Sequence, residues 1–124
     1  MATILIVEDN ESLRLAYASF LSQENHKVFT AASVDDALAY LSTSTPNVIL
    51  LDMLLPKKNG LNLLQEYDVI KDHPSVKVIA FSNYSERQIQ EEAENLGVSL
   101  YLTKALTTPK DLVATISDLL ARSE

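Results

Sequence analysis

Acidic, hydroxyl and ammonium side chains follow four apolar runs of this chain, at the point where each run ends. Glu8 and Asp9 follow "TILIV", Asp52 closes "VILLD", Ser82 closes "VKVIAFS", and Lys104 follows "SLYLT". Burying a carboxylate at such a position is costly unless a partner meets it. Three carboxylates brought together would repel one another unless a cation joined them. Oxygen ligands without His or Cys favour a hard ion, and a partly hydrated Mg²⁺ fits best.

The hydroxyl of Ser82 and the ammonium of Lys104 suit an anion such as a phosphoryl group. Each residue also has an ordinary interpretation. An acidic pair after a strand can be a solvated loop or a favourable charge at a helix N-terminus, a serine can be a turn residue, and a lysine can lie along the surface. The joint occurrence at four run ends favours a site, with metal on one side of Asp52 and a phosphoryl group on the other.

The elements that would position these side chains alternate between strand and helix. Five apolar runs predict buried strands at residues 3–7, 27–31, 47–52, 76–82 and 99–103. Strands that are apolar on both faces are typical of a parallel sheet covered by helices. We therefore expect one doubly wound α/β domain over residues 1–124, with its ligands at the carboxyl ends of the strands.

Five helices are predicted between and after these strands. The first should bury one apolar face, formed by Leu13, Ala16, Tyr17, Phe20 and Leu21. The third should bury a second face and stop before Pro74, through Leu61, Leu64, Tyr67 and Ile70. The last should bury Leu112, Ile116, Leu119 and Leu120.

The fourth predicted helix, opened by Ser85, offers only Ile89, Ala93 and Leu96 to the core. A helix with so small an apolar anchor should be the easiest to shift.

Residues typical of helix ends mark the boundaries. Asn25 and Gly97 suit the left-handed conformation that stops a helix. Ser33 opens a Ser-x-x-Asp sequence that is typical of a capped helix start. Thr108 followed by Pro109 is typical of an N-cap and first turn.

The composition describes a packed, acidic domain. The chain has 124 residues, and 47% of them are hydrophobic, which favours a packed core over disorder. The net charge of −7 makes it a poor nucleic-acid binder. Acidity fits either plain solubility or a carboxylate site for a divalent cation. With only Gly60 and Gly97, the chain contains neither a dinucleotide-binding fingerprint nor a P-loop.

Further sequence features bear on compartment. The apolar runs are far shorter than the roughly 20 residues of a membrane span. Met1 runs almost directly into the first strand-like run, without a charged and apolar leader. The absence of Cys excludes disulfides and thiolate metal sites. We therefore expect a cytoplasmic protein with no membrane contact and no direct nucleic-acid contact.

Four segments, "VEDN", "LLDMLLPKKNG", "FSNY" and "YLTK", make the chain resemble the receiver domain of two-component response regulators from Thr3 to about Ala121. The second segment has the family's Asp-x-x-x-Pro-x-x-x-Gly form. The resemblance implies a flavodoxin-like sheet in the order 2-1-3-4-5. It also implies a sensor histidine kinase or phosphotransfer protein upstream, and an output protein or domain downstream.

The resemblance implies a role for each polar residue at the strand ends. Asp52 would accept the phosphoryl group as an acyl phosphate, while Ser82 and Lys104 would hold its oxygens. Tyr101 matches the aromatic residue that turns inward when the serine moves toward the phosphate. The face formed by the fourth helix, fifth strand and fifth helix would then change. A homodimer, if it forms, would use the same face. No enzymatic activity is expected beyond self-phosphorylation from a phosphodonor and slow self-dephosphorylation.

The metal site follows from the same resemblance. Asp9 and Asp52 would ligate Mg²⁺ directly together with the main-chain carbonyl of Leu54, and Glu8 would act mainly through water. Leu54 and Tyr84 would flank the path of the water that hydrolyses the acyl phosphate, so the phosphoryl group should be lost slowly.

Two other interpretations use the same residues. A haloacid-dehalogenase-type phosphatase also has an aspartate nucleophile, but the second aspartate it needs is here Leu54. A degenerate receiver would act only as a phosphorylation-independent interaction module, and the joint presence of Asp9, Asp52, Ser82 and Lys104 speaks against it.

One position departs from the family. Receivers normally follow the lysine with a proline in a cis bond, whereas here Ala105 follows Lys104. A cis bond costs about 2.5–4 kcal/mol before a residue other than proline. We therefore expect a trans Lys104–Ala105 bond, a loop displaced from the family's path, and a Lys104 side chain that still points at Asp52.

Overall fold

The computed structural model describes residues 2–55, 57–82 and 87–122. Five parallel strands form one sheet in the order β2-β1-β3-β4-β5, which confirms the predicted topology. The strands are β1 (Thr3–Val7), β2 (Lys27–Ala31), β3 (Val48–Asp52), β4 (Lys77–Ser82) and β5 (Val98–Thr103). The helices are α1 (Glu11–Gln23), α2 (Val34–Leu41), α3 (Gly60–Glu66), α4 (Arg87–Asn95) and α5 (Pro109–Arg122), and a 3₁₀ turn spans Lys104–Leu106.

The core has two halves, one on each face of the sheet. One half joins the sheet to α2, α3 and α4 through buried residues such as Ala37, Leu63 and Ala93. The other half joins it to α1 and α5 through residues such as Leu21 and Ile116. Both faces of β1 and β3 are buried because helices cover the sheet on both sides, as apolar strands of a parallel sheet require.

The strand register brings the polar strand ends to one edge. Val7 is paired with Leu51, so Glu8 and Asp52 follow neighbouring residues on β1 and β3. Asp52 is paired with Phe81 on β4. These pairings place the ends of β1, β3 and β4 side by side at the switch in strand order, where ligands bind in open parallel sheets.

Local caps fix most helix boundaries as predicted. The Ser33 side chain accepts a hydrogen bond from the Asp36 N–H at the start of α2. At the start of α5, the Thr108 hydroxyl accepts from the Asp111 N–H, and the Asp111 carboxylate accepts from the Thr108 N–H. Asn25 has a φ of 64°, in the left-handed region expected after α1.

The predicted third helix is too long. α3 ends at Glu66, because Tyr67 has extended backbone angles and the Asp68 carboxylate accepts a hydrogen bond from the Lys71 N–H. A side chain that bonds to the nearby backbone competes with helix continuation. The chain then buries Val69, and Ile70, which was expected in the core, is 60% exposed.

The predicted face of α1 is too wide. Tyr17 and Leu21 are buried, but Phe20 is 42% exposed. The residues at one- and two-turn intervals, Leu13, Tyr17 and Leu21, are those that meet the sheet. Within the described ranges, no helix is long and apolar enough to cross a membrane.

Candidate functional site

Three polar residues are buried at the carboxyl edge of the sheet. Glu8 is 2% exposed, Asp52 4% and Ser82 1%, and they are the buried polar residues among those that the structure describes. They line an open cavity of about 500 Å³ together with Asp9 and Lys104. The structure therefore brings all five predicted side chains to one place.

Lys104 binds two of the buried carboxylates. Its ammonium nitrogen Nζ lies 2.6 Å from Glu8 Oε1 and 2.9 Å from Asp52 Oδ2. Burial alone would lower the pKa of Lys104, but hydrogen bonds and charge from Glu8 and Asp52 outweigh burial, so its pKa is raised. Lys104 stays protonated at neutral pH and stabilises two carboxylates that would otherwise repel each other.

The Lys104–Ala105 peptide bond is trans, as expected. The residues after it form the 3₁₀ turn Lys104–Leu106, in which the Thr107 N–H donates to the Lys104 carbonyl. The Thr107 hydroxyl also donates to the Thr103 carbonyl. These bonds let the loop close without proline while the ammonium still reaches Asp52.

The acidic residues form a group that could hold a metal ion. One carboxylate oxygen each from Glu8, Asp9 and Asp52 lies within 4.8 Å of the other two. Glu8 and Asp52 are buried, whereas Asp9 is exposed and leaves the group open to solvent. An all-oxygen donor set with access to water fits a hard divalent cation that keeps part of its hydration shell.

Backbone N–H groups orient two of these carboxylates. The Leu54 N–H donates to Asp52 Oδ1 at 3.0 Å, and the Asn10 N–H donates to Glu8 Oε2 at 3.1 Å. Because Lys104 contacts the second oxygen of each carboxylate, both side chains are held from two directions. The Leu54 side chain is 59% exposed at the cavity rim.

Gly60 lets α3 start close to the strand that carries Asp52. A Cβ at this position would lie 2.9 Å from the Met53 backbone, which is closer than real side chains approach. The Asn59 and Asn62 side chains then close a capping box over the first turn of α3. Glycine at the end of the Asp-x-x-x-Pro-x-x-x-Gly segment therefore permits the close approach of α3 to Met53, the residue after Asp52.

Tyr101 lies on β5 beside the buried Ser82. Burial raises the pKa of Tyr101, a hydrogen bond with the Ser82 side chain lowers it, and the Asp52 charge adds to the increase. The tyrosine is partly buried and packs against the core half formed with α2, α3 and α4. Tyr101 is therefore bonded to Ser82 and lies within electrostatic reach of Asp52.

Three residues near the site were missed in the sequence. Lys104 Nζ lies 5.9 Å from the centre of the Phe81 ring, and Tyr17 packs edge-on against the same ring. Burial raises the pKa of Tyr17, with Lys104 opposing the shift. Arg14 donates to the Glu8 carbonyl. Its position near the start of α1 permits this contact, since helical side chains point toward the N-terminus.

Tyr84 and Ser85, which were assigned to the water path and the start of α4, lie outside the described residues.

Comparisons with known proteins agree with this geometry. The family model described as "Response regulator receiver domain" matches residues 4–117. The chain is 33% identical over 123 residues to the transcriptional regulatory protein CpxR of Klebsiella pneumoniae subsp. pneumoniae (strain HS11286), covering 99% of this chain and 51% of CpxR. It is 30% identical over 101 residues to sporulation initiation phosphotransferase F of Bacillus subtilis (strain 168), covering 82% and 80% respectively.

A solved structure supports the same assignment. The CheY-like receiver domain protein of Methanospirillum hungatei JF-1 superposes with a TM-score of 0.90 at 27% identity, covering 99% of this chain and 96% of that one. The chain spans about half the length of CpxR, and likewise 49% of the transcriptional regulator ycf27 of Cyanophora paradoxa. With the family match over residues 4–117, these likenesses place the chain in the receiver domain family of two-component response regulators.

Proposed function

We propose that Asp52 accepts a phosphoryl group from a phosphohistidine on a sensor histidine kinase or phosphotransfer protein, in a Mg²⁺-dependent reaction. The observation that carries the proposal is the position of Asp52 Oδ2, which lies 2.9 Å from Lys104 Nζ in an open cavity shared with Glu8 and Asp9. The carboxylate is thus buried but open to the cavity, with positive charge beside the place where a phosphoryl oxygen would arrive.

The transfer is an in-line displacement at phosphorus. An Asp52 oxygen forms the new O–P bond while the P–N bond to the donor histidine breaks, and the bonding electron pair stays on the imidazole nitrogen. The product is an acyl phosphate on Asp52. Lys104 then pairs with a phosphoryl oxygen, and Ser82 donates a hydrogen bond to another. Most of the catalysis is positioning and charge neutralisation.

The residues that would hold Mg²⁺ are Asp9, Asp52 and the Leu54 carbonyl, with Glu8 acting through water. When bound, the ion neutralises charge on the phosphoryl oxygens. The secondary role of Glu8 is supported by its contacts, because Lys104 and the Asn10 N–H already engage its two oxygens. Asp9 is exposed and free to turn toward a hydrated ion.

Phosphorylation is proposed to change the face formed by α4, β5 and α5. Ser82 would move toward the phosphoryl group, and Tyr101, its present partner, would turn inward. Ala93 is the buried residue of α4, so the helix has a small anchor to lose. This face would contact the output protein or domain. A homodimer, if it forms, would use the same face. We propose a cytoplasmic location, which the cysteine-free sequence supports. With a net charge of −7, we do not expect it to contact nucleic acid directly.

The domain is proposed to be a phosphoprotein and not an enzyme with turnover. Incubation with Mg²⁺ and acetyl phosphate or phosphoramidate, followed by intact mass measurement, should show one phosphoryl group on wild type and none on Asp52→Asn. Continuous release of phosphate without a stable adduct would favour a phosphatase. No adduct and no turnover would favour a phosphorylation-independent interaction module.

A further inference from the structure

Arg14 folds back over the loop that carries the acidic pair. Its Nη1 lies 3.0 Å from the Glu8 carbonyl oxygen and 3.4 Å from the Asp9 carbonyl oxygen. The same residue is anchored in α1 by its backbone N–H, which donates to the Asn10 carbonyl at 2.9 Å. One side chain therefore ties two consecutive carbonyls of the loop to the first turn of the following helix.

Other bonds hold the residues on either side of Asp9, since the Asn10 N–H donates to the Glu8 carboxylate and the Asn10 side chain accepts from the Leu13 N–H. Glu8 is held by its own N–H, which donates to the Ala31 carbonyl, and by Lys104 on its carboxylate. The Asp9 side chain is exposed, and no hydrogen-bond donor contacts its carboxylate within the described ranges. The direction of the Asp9 side chain therefore depends on the backbone at residues 8–10, where Arg14 bonds to the carbonyls of Glu8 and Asp9.

We propose that Arg14 is a positioning residue for the metal site, acting through the main chain of Glu8 and Asp9. This inference deepens the proposed function, on which it rests. Residues that orient metal ligands commonly change metal affinity by about 10–100-fold when they are removed. Arg14 acts through the backbone and not on the ligand atoms, so we expect the lower end of that range.

A purely electrostatic role predicts the opposite result. Arg14 is a cation bonded to the loop that carries Glu8 and Asp9, so its charge alone would oppose the binding of a divalent ion there. Removing that charge would then tighten Mg²⁺ binding. Under the electrostatic role, Arg14→Lys keeps the charge and should leave the Mg²⁺ affinity unchanged. Under the positioning role, Arg14→Lys should weaken binding, because lysine lacks the planar, rigid donor geometry of the guanidinium.

The experiment measures Mg²⁺ affinity by titration calorimetry or tyrosine fluorescence in wild type, Arg14→Met, Arg14→Lys and Asp9→Ala. Arg14→Met should bind Mg²⁺ roughly tenfold more weakly, and Arg14→Lys should also bind more weakly than wild type. Metal-free hydrogen exchange should be faster at the Asn10 amide in both Arg14 variants. Arg122→Met is the matched control, since Arg122 lies at the end of α5 and pairs with Asp118.

The possible outcomes distinguish a failure of the Arg14 role from a failure of the proposed function. Mg²⁺ binding that is unchanged or tighter in Arg14→Met, with Asp9→Ala still impaired, would overturn the role of Arg14 and leave the metal site standing. Equal affinities of Arg14→Lys and wild type would also overturn it. Wild type that binds no Mg²⁺ would overturn the metal part of the proposed function and the role of Arg14 with it. Circular dichroism melts of each variant establish that the fold is retained.

Discussion

The ammonium nitrogen of Lys104 lies 2.9 Å from Oδ2 of Asp52, across the carboxyl edge of the sheet. The same nitrogen lies 2.6 Å from Glu8, so one cation holds two carboxylates that are almost completely buried. Lys104 follows β5 directly, and its backbone is fixed by the 3₁₀ turn over Lys104–Leu106. Because its side chain is only 15% exposed, the pair is poorly screened by solvent.

Removing the positive charge of Lys104 should destabilise the metal-free fold. Lys104→Met leaves the carboxylates of Glu8 and Asp52 buried without a positive charge beside them, and breaking a buried ion pair typically costs about 3–5 kcal/mol. We expect a loss of about 3 kcal/mol in the free energy of unfolding, measured by urea denaturation in EDTA. Added Mg²⁺ should restore part of it. The exposed Lys110→Met is the control, and equal stability of the two variants would contradict this account.

The side chain of Leu54 should slow the loss of the phosphoryl group. It is 59% exposed at the rim of the cavity, where we expect it to hinder an in-line water. Leu54→Asn should shorten the half-life of the acyl phosphate roughly three- to tenfold, or about 0.7–1.4 kcal/mol of barrier. The half-life is measured by intact mass after removal of the phosphodonor.

Leu15→Asn is the control for Leu54, since Leu15 is 57% exposed on α1. The resemblance to receiver domains implies that Tyr84 flanks the same water path, so we also expect faster hydrolysis in Tyr84→Ala. Unchanged half-lives in both Leu54→Asn and Tyr84→Ala would contradict the proposal that these side chains shield the acyl phosphate from water.

His26 should make stability depend on pH. Burial lowers the pKa of His26, and its Nδ1 accepts a hydrogen bond from the Ala2 N–H, which requires the neutral ring. The unfolded chain, with a histidine pKa of about 6.5, therefore binds more protons than the folded one just below that pH. The contribution is fully present above about pH 6.5 and declines as the pH falls toward the lowered pKa.

The test compares urea denaturation at about pH 7.5 and 5.5 in wild type and His26→Asn, which keeps an acceptor near the Ala2 N–H. The variant should lose less stability than wild type on acidification. His73→Asn serves as a control for loss of a histidine elsewhere. An identical pH dependence in wild type and His26→Asn would show that His26 makes no such contribution.

Phosphoryl mimics should affect one region most. With Mg²⁺ and beryllofluoride, we expect the largest changes in amide hydrogen exchange in residues 84–108, because α4 has the smallest apolar anchor and Tyr101 lies beside Ser82. Tyr101→Phe should reduce the change, since it loses the hydroxyl. The largest changes falling in α1 would contradict the assignment of the output face.

Much of the fold followed from local signals in the sequence. Runs of apolar residues marked the strands, and caps such as Ser33 and Thr108 marked helix starts, because these depend on residues close in the chain. The predicted end of α3 was wrong because the Asp68 carboxylate accepts a hydrogen bond from the Lys71 N–H, and sequence periodicity does not reveal such a bond. Phe20 was wrongly assigned to the core, because its exposure depends on where α1 meets the sheet, which the helical periodicity alone does not determine.

The candidate site was predicted as a group of residue types, not as a set of contacts. The sequence placed Glu8 and Lys104 at strand ends, but the 2.6 Å contact between them depends on the path of the turn after β5. Arg14 was missed because its partners are main-chain carbonyls, which leave no pattern of side chains to recognise. Contacts of these kinds require coordinates.

The central claim is that the phosphoryl group is carried by Asp52. Borohydride reduces an aspartyl phosphate to homoserine, so the acceptor can be located directly. Wild type treated with Mg²⁺ and acetyl phosphate is reduced, digested and sequenced by mass spectrometry, with untreated protein and Asp52→Asn in parallel. We predict homoserine at position 52 of the treated wild type and at no other aspartate. Homoserine at position 9, or its formation in Asp52→Asn to the same extent as in wild type, would contradict the account.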